Sequence, residues 1–160
     1  MNVLIWLSNT APAVWARETD SVWGYPTILF LHTLGLGLLV GFTTVIDFRV
    51  LGFSAQLPLE LMGRFFRFIW IGFWINAASG SALLIMTPSK VANPAFVIKM
   101  ALIALGVVNM WLLKRLVFRS SAGTDVRPAI GRFLAVTSLL LWAGAITAGR
   151  LMAYVAGARG

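Results

Sequence analysis

Cysteine is absent from this chain of 160 residues, histidine occurs once and acidic residues number five. The missing thiols exclude disulfides, iron–sulfur clusters, covalently attached haem and thiolate chemistry together. One histidine and five carboxylates leave too few donors for a multi-ligand zinc or copper site within one chain. Charge of either sign is scarce: charged residues make up 11% of the chain, under half the roughly 25% of soluble proteins. Hydrophobic residues make up 59%, more apolar surface than a water-soluble core of this length can use.

What the chain does contain is four long stretches nearly free of charge. Ser21–Ile46 and Phe68–Ser89 are bounded by charged residues and carry none; both exceed the roughly 20 residues that a bilayer core requires. Ala95–Leu113 holds one lysine near its start, and Phe133–Tyr154 one arginine near its end. The pattern predicts an all-α integral membrane four-helix bundle, with spans over about 25–46, 68–87, 95–113 and 133–154 in a transmembrane domain of residues 25–156. Residues 1–24 form a retained N-terminal segment. They have no charged n-region, and Val3–Leu7 is too short for a signal-peptide core, despite the small-residue run Ala11-Pro12-Ala13. Trp6, Trp15 and Trp23 suit a short helix lying in the membrane interface. The spans leave no room for a separate soluble domain.

A net charge of +8 would point to nucleic acid in a soluble protein. Here the basic residues fall mainly between spans, so nucleic-acid binding is not expected and the charges read as topology signals. Of the thirteen, Arg49, Arg64 and Arg67 flank the first loop, and Lys114, Arg115, Arg119, Arg127 and Arg132 the third. By the positive-inside rule these loops are cytoplasmic and both termini periplasmic, in a bacterial inner membrane. Asn93-Pro94 caps the third span, and Asp125 followed by Pro128 does the same for the fourth. The first loop, from Leu57-Pro58 to Met62 with Arg64 and Arg67 beyond, reads as a separate short amphipathic helix facing anionic headgroups.

Three cationic or titratable groups share the outer leaflet. His32 lies ~10 Å inside Tyr25, Lys99 ~7 Å inside Pro94 and Arg150 ~6 Å below Tyr154, taking 1.5 Å per residue. Intramembrane ionisable groups are costly, so these three form the candidate ligand site. Lys99 and Arg150, near helix ends, also have the option of snorkelling to the headgroups, and His32 that of a structural hydrogen bond. No acidic residue accompanies them, so an anionic or carbonyl-bearing ligand such as a quinone headgroup fits better than a proton relay. Asp47 and Arg49 at the inner end of span one are expected to pair with other elements, being two apart on a helix. Asn76 and Asn109 are expected to be interhelical hydrogen-bond formers. Small residues at packing spacing, Thr33, Gly37 and Gly41 in span one, 77–82 in span two and Gly144, Ala145, Ala148 and Gly149 in span four, point to packing within the bundle, with a homodimer seam as the alternative.

These residues together resemble an uncharacterised family of small four-helix bacterial inner-membrane proteins. The resemblance rests on Tyr25-Pro26 with His32 and Gly35, then Asp47, Arg49 and Gly52, Gly72-Phe73 and Gly80, Asn93-Pro94 with Phe96 and Lys99, Asn109, Trp142, and Gly149-Arg150 with Ala153-Tyr154. It implies the four-span fold and importance for His32, Asp47, Arg49, Lys99 and Arg150, but carries no activity with it. The chain departs from the pattern at Leu29, where relatives have Glu, and at Lys114, where they have His. The expected function is a non-catalytic subunit or accessory protein beside a membrane or periplasmic partner. The alternatives are a redox module binding b-type haem or quinone near His32, where a bis-histidine haem needs two protomers, and a small-solute or ion carrier.

Overall fold

A computed structural model describes residues 2–53, 56, 58–118 and 128–157, with the side chains of 2, 59–60, 118, 128 and 153–157 left aside. Its elements are α1 (Asn2–Ser8), α2 (Ala11–Glu18), α3 (Tyr25–Leu51), α4 (Leu59–Met86), a short 3₁₀ turn (Pro88–Ala92), α5 (Pro94–Leu113), a π turn (Lys114–Phe118) and α6 (Pro128–Gly157). Among the described residues there is no strand.

Four of these helices are long and apolar enough to cross a bilayer, over Tyr25–Leu51, Leu61–Met86, Pro94–Val117 and Ala129–Met152. At 27 residues α3 measures ~40 Å, against a hydrocarbon core of ~30 Å. Their outward faces carry exposed Phe30, Leu34, Trp74, Val97, Leu105, Phe133 and Leu140. Helices that are apolar all round need lipid or protein on every side. The chain is a multi-pass membrane protein.

Local chemistry sets the helix ends. The α3 helix stops at Gly52, whose φ of 99° is left-handed backbone that only glycine adopts without strain. Beyond it, Phe53 N–H donates to Phe48 O at 3.0 Å and the two rings meet edge to face at 5.9 Å, closing the turn with both a hydrogen bond and an apolar contact. At the start of α5, Asn93 Oδ1 accepts from Ala95 N–H at 2.9 Å and Pro94 takes the first helical position. Asp125 lies outside the described residues, as do Leu57, Arg119 and Arg127. The first loop differs from expectation: its amphipathic stretch is the beginning of α4 itself. Pro58 ends the loop, no further proline follows before the apolar span begins, and the single Gly63 is carried within the helix. The N-terminal segment likewise holds two short helices, which fold back against α4 and leave Trp6 and Trp15 exposed.

Hairpins α3–α4 and α5–α6 are the closest-packed pairs, and α3 against α6 joins them. The large buried side chains gather in the half of the bundle nearer the first loop: Leu39 and Ile46 of α3, Met62, Phe66 and Ile69 of α4, Met110 and Leu113 of α5, and Leu134 and Trp142 of α6. Toward the other end, Met86 apart, the buried positions are small or polar, among them Gly35, Gly72, Ser79, Ala145 and Ala148. Of the small residues expected to pack, those of α6 do: Gly144 lies against Leu102 and Gly149 against Lys99. Gly37 and Gly41 have open space beside them, because the face of α3 that meets α4 is the one bearing Gly35.

Candidate functional site

The helices α3 and α4 come into backbone contact at a pair of glycines. A Cβ placed on Gly35 would lie 2.6 Å from Asn76 N and 2.8 Å from Gly72 O, and one on Gly72 would lie 2.7 Å from Leu39 N. In lipid, close approach of this kind supplies much of the attraction between helices. It also brings polar groups one turn away into register. Asn76 Nδ2 donates to His32 O at 2.8 Å, while His32 Nδ1 sits 3.1 Å from Asn76 O and 3.2 Å from Ser79 Oγ. The two residues clasp each other's backbone.

This clasp decides the chemistry of the imidazole. A carbonyl only accepts, so the nitrogen facing Asn76 O carries the ring proton in the neutral form. The Ser79 hydroxyl gives its own proton to Ile75 O at 2.7 Å, leaving its oxygen also an acceptor toward the ring. Nδ1 is therefore the donor and Nε2 keeps the lone pair. Gly80 makes the room, since a Cβ there would lie 3.0 Å from His32 Cε1 and 3.4 Å from Nδ1.

Among the described residues, Lys99 of α5 is a charged group within electrostatic range of this ring. Its stem and ammonium run along Gly149 of α6, each 3.7 Å from where a Cβ would stand. Arg150 is the next residue on α6, about 100° further round the helix, and is exposed. The structure thus joins His32 to Asn76 and Ser79, sets Lys99 against Gly149 of α6 within electrostatic range of the ring, and leaves Arg150 on the outer surface.

The remaining polar candidates sit in the other half of the bundle. Asn109 is buried and donates to Leu134 O at 3.0 Å, tying α5 to α6. Arg49 is half-buried near the end of α3, and Asp47 is fully buried with Ser138 of α6 facing it. Sequence reasoning had no access to Ser79, Gly80 or Ser138 as partners: a serine or glycine in an apolar span carries no signal until the facing helix is known. No set of three or more metal-ligating side chains converges among the described residues. No protein-family model, curated protein or solved structure matches this chain.

Proposed function

We propose that this protein is a non-catalytic subunit or accessory protein of the bacterial inner membrane that holds the head of an anionic or carbonyl-bearing ligand, a quinone being the fitting class, between His32 and Lys99. The resemblance to small four-helix inner-membrane proteins belongs to the same proposal. One observation carries the ligand reading: the reciprocal His32–Asn76 clasp commits Nδ1 to α4 and leaves the lone pair on Nε2, on a ring within electrostatic range of Lys99. A ring fixed in one tautomer by a backbone carbonyl is pre-organised to engage a ligand through its other nitrogen. A carbonyl oxygen or anion is then attracted by Lys99 from the side.

The haem alternative fits less well. His32 Cε1 abuts α4 at Gly80, on a side where a porphyrin plane bound through Nε2 would have to extend. A carrier would need paired acids or broken helices within the membrane; α3, α4 and α6 run unbroken through their spans, and α5 gives way to a π turn only in its last residues, from Lys114.

The test is lipid extraction of the detergent-purified protein for bound quinone, together with titration of a short-chain quinone followed by tryptophan fluorescence. His32→Gln and Lys99→Met should each weaken binding at least tenfold while the protein melts as before, since Gln retains hydrogen-bonding capacity and Met the apolar stem. Equal binding by wild type and both variants, or a haem absorption band in the purified protein, would overturn the reading.

A further inference from the structure

Asp47, Ser138 and Trp142 are buried to within 2% of full exclusion, and each has side-chain polar atoms that make no hydrogen bond with any described group. Asp47 lies on α3, while Ser138 and Trp142 are one turn apart on the face of α6 that packs against the core. The Ser138 hydroxyl is free for a specific reason. Other hydroxyls in these helices donate to the carbonyl four residues back, as Thr43 does to Leu39 O, Ser79 to Ile75 O and Thr87 to Leu83 O. For Ser138 that carbonyl is Leu134 O. It already accepts the helical N–H of Ser138 and, from across the bundle, Asn109 Nδ2 at 3.0 Å. Both lone pairs are in use, and the hydroxyl is left to Asp47.

Among the described residues no charged side chain hydrogen-bonds to Asp47. Arg64 and Arg67 of α4, Lys114 and Arg115 beyond α5 and Arg132 of α6 are exposed. Arg49 of α3 is half-buried, and the polar side chain that α5 brings to this layer, Asn109, is committed to Leu134. Neither Asp47 oxygen accepts a hydrogen bond from any of these groups. An ionised carboxylate held out of water without a partner is among the costliest groups a membrane helix can carry.

We propose that Asp47 and Ser138 form a proton-binding site in the interior of the bundle, with the proton on Asp47 and donated to Ser138 Oγ. Binding the proton removes the buried charge and turns one acceptor oxygen into a donor. The other oxygen stays an acceptor, opposite a Ser138 hydroxyl whose own proton is unused. A metal cation suits this set less well: it prefers a shell of about six oxygens, and the helices here spend their carbonyls on their own N–H groups.

Infrared difference spectra of the detergent-purified full chain in H₂O and D₂O at neutral pH test this directly. The expected result is a carboxylic-acid carbonyl band that disappears in Asp47→Asn and moves toward the weakly hydrogen-bonded frequency in Ser138→Ala. Absence of the band from wild type, or its persistence in Asp47→Asn, overturns the proposal. Should Asp47→Asn fail to fold, Ser138→Ala decides alone, and an unmoved band overturns it. A band present in choline chloride but abolished by sodium chloride would show that the site takes a metal cation instead.

Discussion

Adding a single methyl group at Gly35 should loosen the α3–α4 crossing and the His32 site together. The new Cβ would stand 2.6 Å from Asn76 N and 2.8 Å from Gly72 O, and both are backbone atoms that no rotamer change moves aside. Reaching the 3.4 Å of ordinary contact requires the helices to part by about 0.8 Å. The same displacement stretches Asn76 Nδ2···His32 O from 2.8 Å and His32 Nδ1···Asn76 O from 3.1 Å past the limit of a useful hydrogen bond. Overpacking costs about 1–3 kcal/mol, and interhelical hydrogen bonds in membrane proteins average about 0.6 kcal/mol each. Gly35→Ala should therefore destabilise by about 2–4 kcal/mol. The assay is unfolding of the detergent-purified protein by titration with sodium dodecyl sulfate. Gly41→Ala is the control, because it sits on the same helix with nothing within 4 Å, so it reports helix propensity alone and should gain up to about 1 kcal/mol. If Gly35→Ala and Gly41→Ala unfold alike, α3 and α4 do not cross at Gly35–Gly72 and the His32 geometry built on that crossing is wrong.

Gly72→Ala makes the reciprocal contact and should cost a similar amount, while the double Gly35→Ala/Gly72→Ala variant should cost less than the two single changes added together, because one separation of the helices relieves both clashes. Asn109→Leu should destabilise by about 1–2 kcal/mol in the same unfolding assay, and by freeing a lone pair on Leu134 O it should also weaken any interaction between Ser138 and Asp47. Gly52→Ala, forcing a Cβ onto a φ of 99°, should cost about 1–2 kcal/mol; an unchanged unfolding midpoint would refute the left-handed stop at the end of α3. Alkaline phosphatase fused after Gly160 should be active and a green fluorescent protein fusion there dark, as the excess of basic residues in the first and third loops requires for a periplasmic C-terminus; the reverse pattern would invert the assignment of both ends.

By itself the sequence determined that this is a four-helix membrane protein, because span length and freedom from charge are summed over some twenty residues and do not depend on which helix meets which. Single-residue caps such as Asn93-Pro94 were legible for the same reason: they act on their own helix. The amphipathic start of α4 was harder to place, since a charged turn on a helix and a separate interfacial helix have the same composition. Only the tertiary structure decided which face of each span turns inward. The spans are apolar all round, so no periodicity distinguishes the Gly35 face of α3 from the Gly37–Gly41 face, and only the close approach of Gly72 does. That crossing made His32 a clasp to Asn76 with a defined tautomer, and the packing of α5 on α6 set Lys99 against Gly149 and left Arg150 exposed. It takes the meeting of α3, α5 and α6 to turn an ordinary serine into the unpaired partner of Asp47, because the carbonyl that Ser138 would otherwise use is filled by a side chain from another helix.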